Sequence, residues 1–160
     1  MTRTTARELA ILLGFSMDGR ETAAEAAERF FEPEHYASLA EENELFSEAP
    51  GPAERDYILR VAGLMWDKRA EADEFIRKYA HGWRPERISR TAAAILRCAI
   101  CEMLYLEDVP PAAAINEAVE IAKKYESAET VAFLNGVLGG FVRGEPGLLE
   151  EAASAGETAP

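Results

Sequence analysis

Apolar residues along this chain recur at spacings of three and four almost throughout, and no sustained alternation of period two appears. The pattern predicts an all-α protein. Thr5 and Glu8 form a candidate capping box for a first helix that runs to about Met17 and carries Leu9, Leu12, Leu13 and Phe15. Asp18-Gly19 ends it, and a second helix runs from about Thr22 to Phe31, stopping before Pro33. Residues 34–50 read two ways: a helix over His35–Phe46, or an exposed connection closed by Ala49-Pro50-Gly51-Pro52. Pro52 opens a long helix to Tyr79, with Tyr57, Ile58, Val61, Leu64, Met65, Phe75 and Ile76 on its core side. His81-Gly82-Trp83-Arg84-Pro85 is the expected boundary between two subdomains, residues 1–82 and 83–143. A short helix at Pro85–Ile88 precedes a longer one over Arg90–Leu106, whose Ile95, Leu96, Ala99, Ile100, Met103 and Leu104 make a wide apolar face. Asp108-Val109-Pro110-Pro111 breaks the chain before a helix at Ala112–Tyr125. The last helix opens near Ser127 and offers Val131, Leu134, Val137, Leu138 and Phe141 to the core. After Arg143 the periodicity fades, so residues 144–160 are expected to form a flexible acidic tail.

With 160 residues, 48% of them hydrophobic, the chain can bury a sizeable core, and no apolar run is long enough to cross a membrane. The first eight residues carry charge where an export signal needs an apolar stretch, which predicts a cytoplasmic protein with two reduced cysteines. The net charge of −12 argues, taken whole, against a nucleic-acid binder. Its distribution changes that picture. Residues 1–50 hold 4 basic and 11 acidic side chains and residues 144–160 hold 4 acidic and no basic ones, whereas residues 51–143 are nearly balanced at 13 and 14.

Catalytic signatures are missing: there is no GxGxxG, P-loop or GxSxG, and His35 and His81 stand alone. No cofactor or metal is expected. Cys98 and Cys101 form a CxxC, but mid-helix rather than at a helix N-terminus, where the dipole would activate a thiol; buried small hydrophobes are the plainer reading. Among the basic residues, Arg84, Arg87, Arg90, Arg97 and the Lys123-Lys124 pair are candidates for following a phosphate backbone, as are Arg3 and Arg7 four apart on the first helix. The competing reading pairs the later arginines locally with Glu86, Glu102 or Glu120.

One stretch carries a family resemblance. Trp83-Arg84-Pro85-Glu86-Arg87-Ile88-Ser89-Arg90, Ala94-Ile95-Leu96-Arg97, Cys101-Glu102-Met103-Leu104-Tyr105 and Asp108-Val109-Pro110 belong to it, followed by Ala114 to Tyr125 and Phe133-Leu134-Asn135-Gly136-Val137-Leu138. Together with Ala6-Arg7-Glu8-Leu9-Ala10 and Phe15, they resemble the NusB family of transcription antitermination factors. The resemblance implies two small helical bundles packed together, about seven helices in all, and no catalysis. It implies binding of boxA RNA together with NusE, a small-subunit ribosomal protein, within an antitermination complex on RNA polymerase. By the same resemblance Arg3, Arg7, Phe15 and Phe133 are RNA-binding, and Glu102 and Glu129 are linked to RNA or partner binding. Phe133 also has core packing as a competing role. Asn116, Asn135 and Gly136 are expected to be structural, Asn116 by bonding a neighbouring backbone group and Gly136 by allowing a close helix approach. Family members occur as monomers and as homodimers.

Thr4 and Thr5 stand where the family often has basic residues, which predicts weak binding to RNA alone and a stronger dependence on the protein partner. On this reading Arg7→Glu should spare stability and reduce RNA binding. Two rival readings are a structural helical dimerisation module and the NusB-type RNA-recruiting domain of an rRNA methyltransferase.

Overall fold

A computed structural model describes residues 1–82 and 87–158, and within them the chain forms nine α-helices and one 3-10 turn. They are α1 (Arg3–Ser16), α2 (Ala23–Phe30), α3 (Pro33–Ala40), the 3-10 turn Glu44–Phe46, α4 (Pro52–Asp67), α5 (Arg69–Tyr79), α6 (Arg90–Tyr105), α7 (Pro111–Tyr125), α8 (Ala128–Gly144) and α9 (Pro146–Thr158). The all-α reading holds. The chain divides into two compact units, Met1–Trp66 and Asp67–Pro160. That division falls earlier than the expected boundary after Gly82, because α5 packs against α6 and α8 of the second unit. Of the short helix expected at Pro85–Ile88, Pro85 and Glu86 lie outside the described residues.

In the first unit α1 is capped three residues earlier than its sequence signal suggests. Thr2, not Thr5, is the N-cap: its hydroxyl accepts from the Thr5 backbone N–H at 3.1 Å. Glu8 is thereby carried into the second turn, beyond reach of the cap, and is buried. The capping box belongs instead to α2, where Thr22 and Glu25 exchange bonds of 3.1 Å in both directions. The Thr22 backbone N–H, and after it the Thr22 hydroxyl, hold the Glu25 carboxyl below its ordinary range. Ala6, Leu9, Ala10 and Leu13 recur as i, i+3, i+4 and i+7 and form the buried side of α1, while α4 buries Ile58, Val61, Ala62 and Met65. Gly19 turns the chain after α1 with φ +87, beside the Trp66 ring, and a Cβ there would lie 2.8 Å from Trp66 Cζ2.

Residues 34–50 are neither one helix nor an open connection. Phe30, Phe31, Tyr36 and Phe46 make a small satellite cluster with ring centroids 5.0–6.2 Å apart, and the Tyr36 hydroxyl donates to the Glu48 carbonyl at 3.0 Å. The rings hold this acidic segment in place without a long apolar helix.

The long helix expected over Pro52–Tyr79 is two helices, parted at Lys68, where the backbone leaves the helical region (φ −104, ψ 16). No glycine or proline marks the break; packing of Ala72 and Ile76 in the second unit accompanies it. There α6 is central, touching α5, α7, α8 and α9. Ser89 caps it through the Ala92 N–H (3.0 Å), and Ser127 caps α8 through the Thr130 N–H (3.2 Å). Arg97 reaches from α6 to grip Asp73 of α5 with both nitrogens, at 2.7 and 3.1 Å.

Beyond Arg143 the expected flexible tail is helix α9, which begins with Pro146 at its first turn and packs on α6 and α8. Its entry is anchored by Glu145, which accepts from Lys78 Nζ at 2.7 Å and from the Tyr79 hydroxyl. These two donors lower the Glu145 pKa, and the carboxylate in turn raises those of Lys78 and Tyr79. Tyr79 lies flat against α8 where Gly140 and Gly144 leave room for it.

Two glycines of α8 therefore predict opposite outcomes. A Cβ at Gly144 would collide with Tyr79, so Gly144→Ala should lower stability by about 1–3 kcal/mol. A Cβ at Gly136 would meet nothing within 4 Å, so Gly136→Ala should raise stability by about 1 kcal/mol through helix propensity. Urea denaturation of the two variants checks both signs.

Candidate nucleic-acid interface

The start of α1 presents the basic residues singled out in the sequence, and it treats them differently. Arg3, in the first turn, is exposed, and its guanidinium carbon lies 3.8 Å from the centroid of the Tyr57 ring on α4. Arg7, one turn on, is turned toward the same ring at 5.9 Å but is only 6% exposed, beside buried Glu8. No buried side-chain nitrogen or oxygen among the described residues lacks a hydrogen-bond partner, so Arg7 is a satisfied internal cation. That corrects its assignment as a surface contact. Phe15 is 38% exposed near the far end of α1, twelve residues or about 18 Å along the axis from Arg3. An exposed aromatic and an exposed, stacked guanidinium on one helix match what an unstacked, anionic strand offers.

In the second unit the expected residues separate by burial. Phe133 is 7% exposed and packs in the core with Leu134, Val137 and Leu138, so the core role wins over a stacking platform. Glu102 is 1% exposed and accepts from the Cys98 thiol at 3.4 Å. Glu129 is exposed in the first turn of α8, where a carboxylate suits the positive end of the helix dipole. Asn135 and Gly136 share the exposed side of α8. The close approach expected at Gly136 is not there, because a helix side with no neighbour within 4 Å needs no glycine. Asn116 is exposed in the second turn of α7, past the first-turn N–H groups it was expected to serve, and Pro111 opens that helix instead.

Of the later basic residues, Arg97 is committed to Asp73 and Lys123 to Glu120 at 2.8 Å, as the local-pairing reading anticipated in kind though not in every partner. Arg87, Arg90 and Lys124 are exposed; Arg84 lies outside the described residues. Tyr57 is the residue the sequence hid. It sits in an apolar stripe of α4 with core residues on either side, and nothing in that spacing separates a platform for arginine from ordinary packing.

The CxxC is a structural feature. Both thiols are buried, and burial pushes Cys101 up to about 12, with Glu71 and Glu102 adding to the shift. Burial, then the hydrogen bond to Glu71 at 2.7 Å, likewise takes Tyr105 to about 12. No group of three or more His, Cys, Asp or Glu among the described residues is arranged to hold a metal ion.

The described residues thus form two helical units, with a stacked arginine and an exposed phenylalanine on the first helix. Comparison with known proteins gives the chain a family. A sequence model described as the NusB family matches residues 4–143, and the chain belongs to that family. Transcription antitermination protein NusB of Symbiobacterium thermophilum is 38% identical over 152 residues, covering 92% of this chain and 93% of its own. The protein of the same name from Nitratidesulfovibrio vulgaris is 34% identical over 149 residues, with 89% and 88% covered. A solved structure of T. maritima NusB shares the fold, with a TM-score of 0.64 over 89% of this chain and 92% of that one, at 21% identity. Helix α9 lies beyond the residues the family model matches.

Two outcomes follow from the buried groups. Arg7→Glu would put a buried carboxylate where a buried cation stood and leave the cation's former partners unpaired, so it should cost about 3–5 kcal/mol, not leave stability unchanged. Thermal melting of the variant measures this. At pH 8 a thiol with a pKa of about 12 is ionised in roughly one molecule in ten thousand. Cys101 should therefore ignore an aromatic disulfide reagent in the native protein and react promptly in denaturant.

Proposed function

We propose that this chain is a non-catalytic transcription antitermination factor that acts in the cytoplasm and binds boxA RNA of nascent ribosomal RNA transcripts together with NusE. The observation that carries the reading is the pairing of an exposed Phe15 with a stacked Arg3 on one helix of a NusB-family chain. Relatives named transcription antitermination protein NusB, similar over nearly the whole chain, support it. A single-stranded RNA supplies a base to stack on Phe15 and phosphates or base edges for Arg3. NusE contributes a second weak surface, and joining two weak contacts on one RNA raises effective concentration. The assembled pair is then available to an RNA polymerase antitermination complex. Glu129, exposed and anionic, is a candidate contact for a basic partner, and a homodimer is the second assembly to test for.

Fluorescence anisotropy of labelled boxA RNA, with a scrambled RNA and two salt concentrations as controls, tests this. Binding should be selective for boxA and should tighten when NusE is added. Phe15→Ala should weaken it by about 5- to 150-fold, the range set by loss of one base–aromatic stack. Phe133→Ala should instead lower stability, by about 3–5 kcal/mol, as a core truncation does. Equal affinity for boxA and scrambled RNA, with no response to NusE, would sink the reading.

A further inference from the structure

We propose that Tyr57 is a positioning residue for RNA binding, its ring holding the Arg3 guanidinium in place at the start of α1 before RNA arrives. The inference rests on the RNA-binding reading above and adds a residue to that site.

The geometry is specific to this pair. The Arg3 guanidinium carbon lies 3.8 Å from the Tyr57 centroid, the distance of two stacked planes in contact. Three other cation–ring pairs, Arg55 on Phe31, Lys68 on Tyr105 and Lys78 on Tyr79, stand off at 5.2–5.3 Å. Tyr57 is itself 7% exposed and flanked by buried Ile58 and Val61, so its ring is a fixed wall rather than a mobile surface group. Arg7, buried and 5.9 Å from the same centroid, approaches that ring as well. Two arginines one helical turn apart thus converge on one aromatic, the inner one buried and the outer one exposed.

Stacking engages the face of a guanidinium, whereas hydrogen bonds to phosphate or a base edge use its rim. Stacking by itself therefore does not use up the groups with which a guanidinium binds an anion. Held against a ring, it loses less conformational freedom on binding than an arginine waving in solvent. That matters in this chain, because Thr4 and Thr5 follow Arg3 where further basic residues would add charge. One pre-set cation makes up part of what a looser cluster would supply.

A double-mutant cycle on the full chain tests the inference, with labelled boxA RNA and NusE as the probe and NMR of the arginine Nε–H groups as a second readout. Tyr57→Leu should weaken RNA binding by about two- to five-fold, the worth of one cation–ring contact, and should have no effect in an Arg3→Ala background. Tyr57→Phe should restore binding, since the ring and not the hydroxyl does the positioning. The Arg3 Nε–H resonance, identified by its loss in Arg3→Ala, should carry a ring-current shift in the wild type and in Tyr57→Phe but not in Tyr57→Leu. If Tyr57→Leu fails to fold, Arg3→Lys at the exposed position keeps the charge and gives up the planar stack, and should also weaken binding. Equal losses in both Arg3 backgrounds, Tyr57→Phe as weak as Tyr57→Leu, an unshifted Arg3 resonance, or Arg3→Lys binding as wild type would each overturn the role. A wild-type protein that shows the ring-current shift but binds no boxA RNA would instead defeat the RNA reading, and the positioning role with it.

Discussion

Helix α6 has ten of its sixteen residues buried, and a helix apolar on nearly every side has to be enclosed. Water cannot be left on any long face of it, so the second unit is organised by the need to cover it. Helices α5, α7, α8 and α9 do so. The small residues of α6, among them Ala92, Ala94, Cys98, Ala99 and Cys101, give those neighbours room to approach, while Ile95, Leu96 and Ile100 fill the space between. Glu102 is tolerated in this setting because every described buried polar atom has a partner, and the Cys98 thiol supplies one of its bonds. The same enclosure that stabilises the unit silences the CxxC as redox chemistry, since a thiolate would have to form without water.

The first unit solves a different problem. Its apolar stripes on α1 and α4 are ordinary amphipathic faces, and it keeps charge close to them. Arg7 and Glu8 are buried at the same level as the leucines around them, and Arg3 lies over Tyr57 at the rim. A cation stacked on a ring is less hydrated than one in solvent and keeps a fixed direction, on a chain whose net charge is −12. The acidic segment that dominates that charge is ordered by its own aromatic cluster, a local core independent of the leucine stripes.

The chain belongs to the NusB family, and relatives similar over nearly its whole length are named transcription antitermination proteins. Exposure sorts the family's expected contact residues in a physically sensible way. Phe15 is offered to solvent at the cost of an exposed ring, which a protein tolerates most readily where a ligand covers it. Phe133 and Glu102 are enclosed, and changes there would reach a binding partner only by altering the packing of α6 and α8.

The sequence by itself determined the all-α class, helices α1, α2, α6, α7 and α8 to within a few residues, and the resemblance to the family, because these depend on local periodicity, on caps such as Ser89 and Ser127, and on short runs of residues such as those from Ala114 to Tyr125. It also contained the basic and aromatic residues of α1. Tertiary structure decided which of them face outward. Arg3 and Arg7 are equivalent in sequence, four apart on one helix, yet Tyr57 from α4 stacks on one at the rim while the other is buried beside Glu8. Burial of a side chain depends on what a distant segment places over it. The break at Lys68 and the helix after Pro146 have the same origin. Neither residue pattern announces its structure, and each goes with packing against other helices: α6 and α8 for α5 and α9 alike.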